Sequence, residues 1–310
     1  MPLSRLRESS NTKCLLFTGY RFGGNFTPKF NNAGHTGVLS LADPALSEVF
    51  SSPIRILHEP TVHIVGRQVC DTGEIDQFLA DHGVSWQSDT TVAGEYLSEM
   101  AGRVCYMSFA KPRPGGNHAY LEHILEVGHG SVLEHATWNL LVTGVSRSLT
   151  HELIRHRAGF GYSQLSQRYV DESVAEYIEP AIIAADPTLH AIWLKTIQAA
   201  HAGYCELVDG LTAKLADETD KTLRRKRARQ AARSVLPNAT ETKVFITANA
   251  RALRHFIEMR GSRHAEDEIR LLAVALLRRM QKESPNLFGD YELVPLSDGT
   301  FEATTPYRKV

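Results

Sequence analysis

The chain has 310 residues, 43% hydrophobic and 22% charged, with 34 Lys and Arg against 35 Asp and Glu. This is ordinary globular composition, enough for one large domain or two small ones, and a formal charge of −1 gives no global field to recruit nucleic acid or an anionic membrane. Cys14, Cys70, Cys105 and Cys205 form no CxxC pair, which argues against a disulfide framework or zinc ribbon and for free thiols in a reducing compartment.

Residues 1–53 read as an N-terminal extension, rich in Gly, Asn, Ser and Thr, whose Phe17, Tyr20, Phe22 and Phe26 are suited to packing on a neighbour. The opening "MPLSRLRESSNTK" has no apolar core of a signal peptide, and the longest apolar run, "LLAVALL" at 271–277, is too short to span a bilayer. A cytoplasmic protein with no membrane partner is expected. A folded domain over 54–310 begins with a strand at "PTVHIVG" and a short helix at "EIDQFLADHG" ended by Gly83. The helical period of "TTVAGEYLSEMAGRVCYMSF" puts Val92, Tyr96, Leu97, Met100 and Val104 on one stripe. "ATWNLLVTGV" alternates like a strand. Ser146 or Ser148 then caps a helix through "LTHELIRHR" that Gly159 and Gly161 stop. Beyond residue 186 the pattern is mostly helical, with Pro237 ending the basic helix "KTLRRKRARQAARSVLP", a strand at "TETKVFITANA", and two last helices at "ARALRHFIEMRG" and "AEDEIRLLAVALLRRMQKE". Helices flanking one mixed or antiparallel sheet make the fold class α+β.

The chemistry concentrates in "HELIRHRAGFGYSQLSQRYV", residues 151–170. "HELIRH" resembles a zinc-binding HExxH, but its second histidine comes at i+5. On a helix His151 and His156 stand roughly 140° apart, so they cannot share one metal. Ser163 and Ser166 lack the GxSxG elbow of a serine nucleophile. Anion binding remains: Arg155 and Arg157 point apart on a helix, Arg168 can fold back beyond the glycines, and guanidinium forks with Gln164 and Ser166 suit phosphate oxygens. The bland alternative is a solvated helix face.

"RHRAGFGYSQLSQRY" resembles the signature of flavin-dependent thymidylate synthases, Arg-His-Arg, a seven-residue spacer, then Ser-x-Arg-Tyr. "GHGSVLEH" (128–135), "RSVLP" (233–237) and "NARALRHFIEMRGSRHAEDEI" (249–269) resemble further motifs of that family in the same order, so the likeness covers roughly 54–295. The resemblance implies transfer of a methyl group to C5 of dUMP, with carbon from methylenetetrahydrofolate, a bound FAD and NADPH as its reductant, in a homotetramer with shared active sites. It implies that Arg260 faces the uracil and stabilises charge on N3–C4=O. Arg155, Ser166, Arg168 and Arg233 then hold the nucleotide, chiefly its phosphate, with Glu152, Gln164 and Leu165 beside it. Ser131, Arg155, His156, Arg157, Gln164, Asn249 and Arg251 line the FAD, and His255 falls at a flavin- or folate-contacting position. Without the family, Asn249 and Arg251 read as a helix cap and a surface ion pair.

Two departures lie beside the nucleotide. Eight residues, not seven, separate Arg157 from Ser166, and Glu152 stands where the family often has Gln. Both suggest relaxed sugar selection, with UMP accepted beside dUMP, as in relatives that methylate UMP for nucleoside antibiotics. A different class, a non-catalytic nucleotide- or RNA-binding protein, would draw on the basic stretch 221–233. No aromatics interleave there and Asp217, Glu218 and Asp220 lie just upstream, so a solvated face or subunit contact is expected instead of nucleic acid.

Overall fold

The alternation of "ATWNLLVTGV" becomes the second strand of a four-stranded antiparallel sheet. The computed structural model describes residues 54–110 and 114–310; the expected extension lies outside them. In chain order the elements are β1 (Arg55–Leu57), β2 (Thr61–Arg67), α1 (Thr72–Asp81), α2 (Ala93–Tyr106), α3 (Gly116–Glu126), β3 (Thr137–Ser146), α4 (Arg147–Leu153), β4 (Phe160–Gln164) and β5 (Glu176–Ile178). There follow α5 (Ala181–Ala184), α6 (Pro187–Lys214), α7 (Lys221–Ala232), β6 (Glu241–Asn249), α8 (Ala250–Arg260), α9 (Asp267–Glu283), α10 (Pro285–Phe288), β7 (Glu292–Pro295) and β8 (Phe301–Thr304).

The sheet order is β2-β3-β6-β4, and two-stranded ladders join β1 to β5 and β7 to β8. Trp138, Leu140 and Val142 of β3 are buried, and so are Val244, Ile246 and Ala248 of β6. Onto that face pack Leu253, Phe256 and Ile257 of α8 and Leu272, Leu276, Leu277 and Met280 of α9, so "LLAVALL" is core. The fold is α+β, an antiparallel sheet flanked by helices. Among the described residues no helix is long and apolar enough to cross a membrane.

Three expectations change. The helix after Ser146 ends at Leu153, not at the glycines, and Gly161 lies inside β4, paired with Thr247. The strand is an edge strand, and its partner β6 is eighty residues further along the chain. The helix containing Arg229 ends at Ala232, and a 3-10 turn (Arg233–Val235) comes before Pro237. On α2, Tyr96 and Met100 pack on a satellite cluster of Leu79, Trp86 and Phe109, but Val104 is exposed. The fully buried face of α2 is polar instead: Glu99 pairs with Arg103 (2.6 Å), and Glu95 accepts from Ser284 (3.0 Å) and Asn286 (2.9 Å). Hydrogen-bond satisfaction lets that polar face be buried.

Candidate active site

The site is organised around α4. Its N-cap is Ser146, whose hydroxyl oxygen accepts from the Leu149 amide (3.0 Å). The amide and hydroxyl of Ser146 donate to Glu268 of α9 (2.7 and 2.6 Å). After Leu153 the chain leaves the helix, and the Tyr162 hydroxyl lies 3.0 Å from the Leu153 carbonyl and 2.8 Å from that of His156. Arg155, His156 and Arg157 therefore sit on a turn rather than a helix face. Arg155 and Arg157 point their exposed side chains into no hydrogen bond or ion pair among the described residues.

Arg260, the last residue of α8, reaches this turn. Its Nη1 donates to Glu152 Oε2 (2.5 Å) and its Nε to His156 Nε2 (3.0 Å). The bond requires an unprotonated Nε2. Burial, reinforced by the Arg260 charge, pushes the His156 imidazole down to about 4. A neutral histidine and the Glu152 carboxylate thus fix the guanidinium in place. Glu266, the N-cap of α9, is lifted to about 7, chiefly by the neighbouring Glu152 carboxylate and by burial. The His255 ring lies 6.0 Å from that of His156.

Asn249 caps α8, accepting from the Ala252 amide (2.8 Å), and Arg251 pairs with Glu134 (2.6 Å) in the turn that also carries exposed Ser131. Both local roles read from sequence are therefore present, and they place these side chains at the end of the sheet where β6 runs into α8. Gly159 packs against this end with φ +73°; a Cβ there would lie 2.7 Å from Asn249 Nδ2 and 2.8 Å from Ala252 Cβ. Beyond this turn β4 pairs with β6 in unbroken register from Phe160↔Ala248 to Gln164↔Val244. Gln164 turns its amide inward, to Thr150 (3.1 Å) and Thr242 (3.3 Å).

On the other side of α4 is a cavity of about 430 Å³ lined by Arg147, His151, Gln167, Gln230, Arg233 and Asn238. Arg147 donates to the Leu165 carbonyl (3.3 Å), and burial together with neighbouring Arg233 lowers its pKa. Gln167 Nε2 and Arg168 Nε are buried without a partner. Ser166 Oγ accepts from the Arg168 amide (3.4 Å). The basic helix α7 braces this segment: Arg229 donates to the Tyr169 carbonyl and to Asp171 (both 2.7 Å), and Lys226 lies over the Tyr169 ring. Sequence reasoning found Arg233 and Arg168 but missed Arg147, His151 and Gln167. One signal for Arg147 was available: it opens a helix, where the dipole disfavours a cation, so an anion nearby is a reason for it.

An arginine clamped by a carboxylate and a neutral imidazole, beside a cavity of like charges and unpartnered donors, is a site for an anionic, polar-ringed ligand such as a nucleotide. A family model described as thymidylate synthase complementing protein matches residues 88–286. The flavin-dependent thymidylate synthase of Mycolicibacterium gilvum is 53% identical over 232 residues, covering 74% of this chain and 92% of that protein. The enzyme of the same name from Mycobacterium avium is 52% identical over 231 residues, with the same coverage. A solved UMP/dUMP methylase, PolB from Streptomyces cacaoi bound with 5-Br dUMP, shares the fold (TM-score 0.53, 21% identity) over 76% of this chain and 96% of its own. The chain belongs to the flavin-dependent thymidylate synthase family, and it is an enzyme, a methyltransferase.

Proposed function

We propose that the protein methylates C5 of dUMP, with FAD as its flavin, methylenetetrahydrofolate as carbon donor and NADPH as reductant. The observation that carries this reading is the arrangement along α4. Arg147 at its start lines the cavity and Glu152 near its end holds Arg260, about 7.5 Å along the helix axis, so phosphate and pyrimidine have separate cationic partners within one nucleotide's reach. Arg147, Arg233, Arg168, Gln167 and Ser166 hold the phosphate. Arg260, fixed by Glu152 and His156, stabilises negative charge on uracil N3–C4=O without having to reorganise.

The flavin fits the donor set on the other flank. Arg155 and Arg157 offer uncommitted cations to a pyrophosphate, and Ser131, Asn249, Arg251 and His255 add polar contacts, with Gln164 and His156 between flavin and nucleotide. When bound, the flavin supplies hydride chemistry; the protein binds, orients and polarises. A homotetramer is supported by α6, 28 residues long yet burying only Ile197 and Tyr204, with Leu189, Ile192 and Leu207 exposed.

UMP is a second acceptor on the strength of Glu152, a carboxylate able to accept from a ribose hydroxyl, and of the longer spacer between Arg157 and Ser166. The test is the visible spectrum of the FAD-reconstituted protein, titrated with dUMP and, in parallel, with UMP. Perturbation by dUMP alone supports an ordinary thymidylate synthase, and perturbation by both extends the reading to UMP. A protein that retains no flavin, or whose flavin ignores both nucleotides, defeats it and favours a non-catalytic binding protein.

A further inference from the structure

Behind the arginine cavity lies a carboxylate that the proposed reaction leaves unused. Glu172 opens the short turn Glu172–Val174 just after the Ser166–Arg168 segment, and it is 5% exposed. Its Oε1 has no hydrogen-bond partner. The groups near enough to act on its charge through space are Arg147 from α4, Glu241 and Lys243 from β6, Asp171 from its own segment, Tyr177 from β5 and Tyr204 from α6. Tyr204 accepts from the Glu172 amide (3.3 Å). Lys243 is drawn to Glu241 (2.8 Å), which leaves Arg147 as the cation Glu172 feels most. Arg147 thus feels both a buried carboxylate and a second guanidinium, Arg233, which lines the cavity with it.

We propose that Glu172 is a positioning residue for the nucleotide phosphate: it balances Arg147 while the cavity is empty and takes up a proton when a phosphate claims that arginine. The inference rests on the nucleotide monophosphate reading of the cavity. A carboxylate in a dry wall stays charged only while a cation compensates it. Burial already pushes Glu172 up to about 7 despite the pull of Arg147. A phosphate dianion between Arg147 and Arg233 cancels that pull and adds like charge, so one O–H bond forms on Glu172 with a proton from solvent, and no other bond changes. Since binding consumes a proton, affinity falls as pH rises through this range. The phosphate's own second ionisation, at about 6, acts in the opposite sense but is complete by pH 7.5. His151, on the cavity wall, is the competing proton acceptor.

Calorimetric titration of the FAD-loaded enzyme with dUMP, at pH 7.5 in buffers of different ionisation enthalpy, counts the protons. The expected uptake is about three-quarters of a proton per site, and the Kd for dUMP rises about 20-fold from pH 6.5 to 8.5. Glu172→Gln abolishes the uptake and flattens the Kd profile, while Glu172→Asp and His151→Gln keep the uptake. Binding without proton uptake, or uptake that persists in folded Glu172→Gln, overturns the proposal. If Glu172→Gln does not fold, His151→Gln decides: loss of uptake there assigns the proton to His151 and overturns it, and retention supports Glu172. A flavin-loaded enzyme that gives no heat and no spectral change with dUMP removes the nucleotide reading itself, a different failure from binding without a proton.

Discussion

Arg260 and Arg233 lie on opposite flanks of α4, and the chain treats them in opposite ways. Arg260 is held by its own protein through two of its nitrogens, with Glu152 at 2.5 Å and His156 at 3.0 Å, and its side chain is 24% exposed. Arg233 makes no side-chain hydrogen bond or ion pair among the described residues, and its neighbours Arg147 and Gln167 include a like charge and an unpartnered amide. The difference separates two kinds of preorganisation. A group that must stabilise developing charge is held rigid beforehand by internal partners. A group that binds a charge already present can be left under-satisfied, so that the ligand completes it.

The strongest way to break the comparison is Arg260→Ala. A fixed cation at the reacting ring is worth about 100- to 1,000-fold in turnover, with FAD and dUMP still bound because the cavity is untouched. Parallel measurement of kcat and of dUMP affinity checks this. A loss confined to affinity would move Arg260 into the same class as Arg233.

Arg233→Ala should show the reverse. Losing one charge-assisted contact of about 1.5–3 kcal/mol weakens dUMP binding about 10- to 150-fold. Stability should hold or rise, since a like charge beside Arg147 is removed, and thermal melting without nucleotide reads this. A destabilised apo protein would show that Arg233 serves the fold instead.

Gly159→Ala tests the flavin edge. At φ +73° an added Cβ costs about 1–2 kcal/mol and also meets Asn249 and Ala252. The expected drop in Tm is about 2–8 °C, with weaker FAD retention because Asn249 must move. An unchanged Tm would mean that the turn relaxes freely.

How much of this was legible depended on how local each signal was. Ser146 and Asn249 announce their helices because a cap is written within four residues, and Trp138, Leu140 and Val142 announce β3 by alternation. The strand β4 did not announce itself. Gly159 and Gly161 look like punctuation, and only β6, far along the chain, makes Phe160–Gln164 a strand. The end of α4 was equally hidden, because Ile154 and Arg155 are no helix breakers and the Tyr162 hydroxyl fastens the turn from β4. The motif arginines were legible as a family pattern, whereas Arg147 and Glu172 gain meaning only from the cavity between α4, α7 and the 166–174 segment.

The smallest expected effect is the most discriminating for Arg251. Its pair with Glu134 is 44% and 49% exposed, so a double-mutant cycle should give a coupling of about 0.2–1 kcal/mol in apo stability. If the two residues serve only each other, Glu134→Gln and Arg251→Gln change FAD affinity equally little. If Arg251 holds the flavin, Arg251→Gln weakens FAD well beyond Glu134→Gln. The latter then leaves affinity unchanged or improves it, because a carboxylate competing with the flavin phosphates is gone. FAD titration of the two single variants separates these cases, because an ion pair is symmetric and a cofactor contact is not.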